Sequence, residues 1–172
     1  MLIYNKKLSV SPLTTHIPIN KVSKKIKKNT IVNKIKTLNF FYSKILKQKP
    51  IIGVLGLNPH NFNNKPNSEG KIISKAIDQL KKNKINISGP ISPDTSFMVT
   101  QKYKYNLLLG MYHDQVLTPF KALFKYKAIN ITLGLPFIRV SPDHGIAADI
   151  IGKNVANPNS LIESIKFFNN IK

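Results

Sequence analysis

The chain contains no cysteine and no tryptophan, and its only arginine is Arg139. Without cysteine there is no disulfide framework, no thiolate nucleophile and no cysteine-built zinc finger. No apolar run approaches the roughly 20 residues that a membrane-spanning helix needs. The opening segment, Met1 to Val10, has two lysines but neither a long apolar region nor a small-residue cleavage site, so it does not read as a signal peptide. These absences predict a soluble, cytoplasmic protein with no membrane partner. Acid is scarce as well. Residues 1–50 hold 12 lysines and no Asp or Glu, and all seven acidic residues lie from Glu69 onward.

What is abundant is lysine, which gives a formal charge of +20. Lys, Ile and Asn together make 69 of the 172 residues, a bias that runs through the whole chain. The lysines fall along predicted helices such as Lys21–Lys28 and Lys44–Lys49. They lack the arginines whose planar fork grips phosphates and base edges. The charge therefore reads as solvated helix faces, not as a nucleic-acid footprint, and no nucleic-acid partner is expected. A positive field would still draw in anionic substrates such as phosphate esters.

The pattern predicts alternating strands and helices. Leu8–Val10 ends a short strand that leads into Ser11-Pro-Leu-Thr-Thr-His16. Ile31, Ile35, Leu38, Tyr42 and Ile45 recur at helical spacing, which predicts an amphipathic helix over 31–48. Ile51–Leu57 is a short apolar run, as expected of a strand buried on both faces. Ser68 and Glu69 suit a helix start, with Ile72, Ile73, Ala76, Ile77 and Leu80 as the apolar stripe. Ile85–Ser88, Asn106–Tyr112 and Ala128–Leu133 read as further strands, with a helix near 96–103 between the first two. Ser160-Leu-Ile-Glu163 has the form of a capping box, opening a helix that buries Leu161, Ile165 and Phe168. This alternation predicts an α/β fold, a mainly parallel sheet flanked by helices.

Three of the four histidines, His16, His60 and His113, fall at or just beyond the ends of predicted strands. In an open parallel sheet those ends share one edge, where ligands bind. Three imidazoles from distant segments would leave a metal an open position for substrate, although spacing alone cannot establish such a site. Asp94, Asp114 and Asp143 lie in Ser-Pro-Asp-Thr, Tyr-His-Asp-Gln and Ser-Pro-Asp-His. Carboxylates there could orient imidazoles or relay protons, and Asp94 and Asp143 could equally be turn residues after proline.

Several blocks then carry a specific resemblance. Thr14-Thr-His-Ile-Pro18, Gly56-Leu-Asn-Pro-His60, Ser88-Gly-Pro with Asp94-Thr95, and Gly110-Met-Tyr-His-Asp-Gln115 come first. Asn130-Ile-Thr-Leu-Gly-Leu-Pro-Phe-Ile-Arg139 and Ser141-Pro-Asp-His-Gly145 follow. In this order the blocks resemble the 4-hydroxythreonine-4-phosphate dehydrogenase family over most of residues 8–172. The resemblance implies a fold like isocitrate and isopropylmalate dehydrogenases, with two α/β domains and a cleft, assembled as a homodimer with a shared active site. Residues 1–172 would be the C-terminal portion of such a two-domain enzyme, and so an incomplete fold.

The same resemblance implies NAD and a divalent metal, described as zinc, magnesium or cobalt. His16, His60 and His113 match the metal ligands, the third reaching across the dimer. Lys121, Asn130 and Arg139 match substrate positions, and Asp94 and Asp114 are candidates for proton relay or support. The implied substrate is a phosphorylated hydroxy-amino acid, 4-phosphohydroxy-L-threonine. It would be oxidised and decarboxylated to 3-amino-2-oxopropyl phosphate for pyridoxal phosphate synthesis. That the only arginine falls at a substrate position suits bidentate anion contact, which lysine cannot make.

Two departures qualify this. Family members carry an N-terminal half with a His-Thr substrate pair and much of the dinucleotide contact, so the chain alone is expected to be incomplete. The loop Asn61-Phe-Asn-Asn-Lys-Pro-Asn-Ser68 also lacks the usual glycines and second histidine, and no cofactor-binding residue is assigned. Related dehydrogenases of threonate or erythronate phosphates, a non-catalytic remnant, and a basic nucleic-acid-binding module are the alternative readings.

Overall fold

The computed structural model describes residues 1–59, 68–98 and 104–171. Seven strands form one sheet: β1 (Leu2–Tyr4), β2 (Ser9–Thr14), β3 (Ile52–Leu55), β4 (Ile87–Ile91), β5 (Leu107–Tyr112), β6 (Ile129–Thr132) and β7 (Arg139–Pro142). Among the described residues, five α-helices accompany them: α1 (Val22–Lys25), α2 (Lys28–Lys44), α3 (Glu69–Lys82), α4 (His113–Phe124) and α5 (Asn159–Asn170). The strand order is β4-β3-β5-β2-β1-β6-β7. From β4 to β2 the neighbours are parallel, whereas β1–β2, β1–β6 and β6–β7 are antiparallel. The sheet is thus mixed, with the parallel half carrying the histidine-bearing strand ends.

Pleating explains the continuous apolar runs. In β5, Leu107, Leu109 and Met111 enter one core with α2 and α3, and Leu108 enters the other with Val116, Leu117 and Phe120 of α4. A strand covered on both faces needs apolar residues at every position. Helix α2 buries Ile31, Ile35, Leu38 and Tyr42, as its spacing predicts. Helix α3 begins at the expected place, its Ser68 side chain accepting from the Lys71 backbone N–H.

Four expectations bear comparison with the structure. The first is strand β2, which does not end at Val10 but runs through Pro12 to Thr14. Its register against β1, Ile3 opposite Val10, places Pro12 beyond the first residue of β1, so that side of β2 is an edge where a missing N–H is tolerated. The second concerns β1 and β7, short strands that extend the sheet beyond the predicted ones. Third, the helix expected near 96–103 lies partly outside the described residues.

The fourth concerns α5. No capping box forms, because the helix starts after Pro158 with no side-chain cap. Ser160 Oγ instead donates to the Ala128 carbonyl at 2.5 Å and accepts from the Asp143 N–H at 2.8 Å. Those buried backbone groups need a partner more than the helix terminus does, since a terminus can be hydrated. Anchoring Ser160 rotates the helix so that Ser160, Ser164 and Phe167 face inward. Leu161, Ile165 and Phe168 remain 46–59% exposed, opposite to expectation.

Candidate active site

Strands β2 and β5 are adjacent and parallel, so the residues that follow them emerge side by side. His16 lies two residues beyond β2, and His113 is the first residue of α4, directly after β5. Their rings stand 5.8 Å apart between centroids, inclined at 46°. The resemblance implied that His113 reaches across a dimer; within one chain its ring lies beside that of His16. A small cleft of about 150 Å³ opens beside them, lined in part by Thr14, Thr15, Tyr112 and Asp114. His16 has φ +52°, a left-handed conformation that a non-glycine residue adopts at a cost of about 1–3 kcal/mol. That strain turns the chain at the point where the imidazole is presented.

Asp114 contacts His113 directly, with Oδ1 2.7 Å from Nδ1. A carboxylate there fixes the imidazole with its proton on Nδ1 and leaves Nε2 as a lone-pair donor, the arrangement found behind metal-bound histidines. Two histidines side by side, one of them oriented in this way, suit a divalent ion such as zinc. Among the described residues, no group of three His, Cys, Asp or Glu forms a complete metal cage. His60, the third candidate, lies outside the described residues, as does most of the loop after it.

The three candidate substrate residues gather on the α4 side of the sheet. Thr132 pairs with Arg139 and Asn130 with Ser141 across β6 and β7, so these four share one face. Asn130 also pairs with Ile3, which packs in the core beneath α4. Arg139 donates from one guanidinium nitrogen to Thr132 Oγ1 at 2.9 Å, which leaves its other donors for an anion. Lys121 reaches from α4 to Asp143, just past β7, at 3.6 Å from Oδ1. Burial pushes the Asp143 carboxyl above its ordinary range, against the pull of Lys121 and, more weakly, of His113 and His144. Asn130 Oδ1 and Asp143 Oδ2 are both buried without a hydrogen-bond partner among the described residues.

Asp94 sits elsewhere, in the turn after β4. Its Oδ1 lies 2.6 Å from Ser92 Oγ, which is also 3.0 Å from the Pro59 carbonyl. That link ties the turn to the segment leading to His60, and no described contact joins Asp94 to His16 or His113. A larger cavity of about 720 Å³ lies at the other edge of the sheet, between the start of the chain and α5, with Tyr4, Lys7, Lys127 and Phe167 on its walls. Size does not locate the chemistry here. The smaller cleft brings two histidines and Asp114 together, whereas the lining of the larger cavity includes Glu163 but no histidine.

Residues 1–168 match the protein family described as pyridoxal phosphate biosynthetic protein PdxA. The chain belongs to this family. It is 47% identical over 170 residues to a 4-hydroxythreonine-4-phosphate dehydrogenase of a Sulfurihydrogenibium species, a match covering 96% of this chain and 52% of that protein. It is 36% identical to the D-threonate 4-phosphate dehydrogenase of Pectobacterium atrosepticum, again covering 96% of this chain and 52% of the relative. A crystal structure of the 4-hydroxythreonine-4-phosphate dehydrogenase from Klebsiella pneumoniae superposes with a TM-score of 0.82 at 35% identity. That superposition covers 99% of this chain and 52% of the solved one. The chain thus spans about half the length of the curated relatives it matches. The relatives are named as dehydrogenases of phosphorylated hydroxy acids, and the mixed α/β sheet is shared with their solved structures.

Sequence reasoning left Asp143 open between an orienting carboxylate and a turn residue, and gave no role to Thr14 or Gln115. All three lie inside the family-like blocks, but their partners are distant in sequence.

Proposed function

We propose that this chain carries the metal and substrate side of an NAD-dependent dehydrogenase acting on 4-phosphohydroxy-L-threonine. The substrate's secondary alcohol would lose hydride to NAD and a proton to solvent or a base. The resulting β-keto acid would lose carbon dioxide to give 3-amino-2-oxopropyl phosphate. The observation that carries this reading is the pairing of His16 with His113, the latter oriented by Asp114. When bound, a divalent ion supplies Lewis acidity to the reacting oxygen, and NAD accepts the hydride.

The residues of this chain divide the remaining work. His16 and His113, with His60, would hold the ion. Asp114 accepts a hydrogen bond from the Nδ1–H of His113 and so leaves Nε2 with its lone pair for the ion. Arg139 offers paired donors to a phosphate or carboxylate, and Lys121 offers a point charge held in place by Asp143. Asn130 adds a neutral contact. Asp94 is the second candidate for proton relay, through the turn that Ser92 fastens. A homodimer would complete the site with groups from a second chain.

A second reading follows from the Pectobacterium relative, whose named substrate is D-threonate 4-phosphate. The two substrates share the phosphate and the secondary alcohol, so the same histidines and cations would serve both. Absorbance of NADH discriminates. The chain should be mixed with NAD, zinc and each substrate, alone and with a polypeptide supplying the rest of a relative's length. Little turnover by the chain alone, and turnover of 4-phosphohydroxy-L-threonine in the complemented mixture, is the expected result. Faster turnover of D-threonate 4-phosphate would favour the second reading, and no turnover of either in the complemented mixture would contradict both.

A further inference from the structure

Three parallel strands, β2, β5 and β3, lie side by side, and by sequence each leads to one of the candidate histidines. Their ends are joined by more than the ladder. Thr14, the last residue of β2, donates its hydroxyl to the Met111 carbonyl of β5 at 2.7 Å in a buried position. The Met111 N–H donates to Gln115 Oε1 at 2.7 Å. Gln115 Nε2 then donates to the Gly56 carbonyl, just past β3, at 2.8 Å. One continuous chain of hydrogen bonds, Thr14 to Met111 to Gln115 to Gly56, thereby crosses all three strand ends.

The position of this chain along the sequence gives it a purpose beyond packing. Thr14 lies two residues before His16, and Met111 two residues before His113. Gln115 is in the first turn of α4, the helix that His113 opens. Gly110 lets that turn press against β5, since a Cβ there would meet Val116 Cγ1 at 2.4 Å and Gln115 Oε1 at 3.1 Å. An unbranched polar side chain such as glutamine can reach two strands at once, accepting from one and donating to the other.

We propose that Thr14 and Gln115 are positioning residues for the metal ligands: they lace the strand ends so that the backbone presenting His16 and His113 is held in place. This rests on the metal reading given above. Groups that orient metal ligands without touching the ion typically change metal affinity 10–100-fold when removed. An ordinary structural hydrogen bond would lower stability and leave affinity for the ion unchanged.

The experiment compares zinc affinity, by competition with a chromophoric chelator, and the unfolding midpoint of the metal-free protein, on the full 172-residue chain. Thr14→Val removes the hydroxyl while keeping the shape, and Gln115→Met removes both of its bonds. Each should weaken zinc binding about 10-fold or more, and Thr14→Ser should restore affinity close to wild type. Ser88→Ala, which breaks the 3.0 Å bond to Tyr105 on the far side of β3, should lower the midpoint without changing zinc affinity. If Thr14→Val and Gln115→Met shift only the midpoint, the positioning role is overturned. Should Gln115→Met not fold, the Thr14 pair decides alone. Wild-type affinity retained in His16→Ala would instead overturn the metal reading, and absence of zinc binding by the wild type would overturn both.

Discussion

Lys121 Nζ stands 3.6 Å from Asp143 Oδ1 and donates to the Asp143 carbonyl oxygen at 3.2 Å, which pairs a half-exposed cation with a carboxylate whose side chain is only 8% exposed. The pair joins the covering helix to the end of the β6–β7 hairpin, so it fixes Lys121 relative to Asn130 and Arg139. Burial raises Asp143 above its ordinary value of 3.8, so the folded protein holds this proton more tightly than the unfolded chain does. Stability from this group is therefore greatest below the ordinary carboxylate range, falls as pH rises through it to the raised folded value, and is flat above. Asp143→Asn should remove that part of the slope. Denaturant midpoints from about pH 3 to about pH 7 would check it, and parallel pH profiles for the two proteins would contradict it.

Arg139 is placed for an anion by its bond to Thr132. Lysine at that position keeps the charge but loses the fork. In the complemented enzyme, Arg139→Lys should weaken binding of the phosphorylated substrate by about 1.5–3 kcal/mol, the scale of a hydrogen bond to a charged group. Calorimetric titration reads this directly, and an unchanged dissociation constant would remove Arg139 from the anion site.

The rotation of α5 makes an opposite pair of outcomes for neighbouring residues. Phe167 is 6% exposed and meets Tyr4 edge-on at 5.4 Å, whereas Phe168 is 46% exposed. Phe167→Ala should cost about 3–5 kcal/mol, and Phe168→Ala about 1 kcal/mol or less. Equal losses in urea unfolding would mean that the helix faces the other way.

Gly110 tests how tightly α4 is seated. A methyl group there collides with Val116, so Gly110→Ala should destabilise the protein by about 1–3 kcal/mol through overpacking. A variant as stable as wild type in the same unfolding experiment would show that the turn has room to move.

The parts of this structure legible in the sequence were those governed by local periodicity and by contiguous blocks. The α2 stripe through Ile31, Ile35, Leu38 and Tyr42 is buried as spacing predicts, and the apolar run of β5 is covered on both faces. That His16 and His113 follow strand ends came from the alternation of strands and helices, whereas the adjacency of those two strands did not. What stayed hidden depends on distant partners. Ser160 looked like a helix cap because its pull toward Ala128, 32 residues away, cannot be seen locally. Asp143 stayed open between an orienting carboxylate and a turn residue because its lysine lies 22 positions earlier, on a different element. Strand β2 read as ending at Val10 because β1, whose shortness leaves the edge at Pro12 open, had no periodic signal of its own.

The metal site is decided most directly by X-ray absorption at the zinc edge on the zinc-loaded chain. If His16 and His113 share an ion, the spectrum should contain histidine scattering with nitrogen ligands at roughly 2.0–2.1 Å. In that case His16→Ala and His113→Ala should each lower the number of imidazole ligands by one. A first shell of oxygen alone, or a wild-type spectrum in both variants, would contradict a zinc centre built on these two histidines.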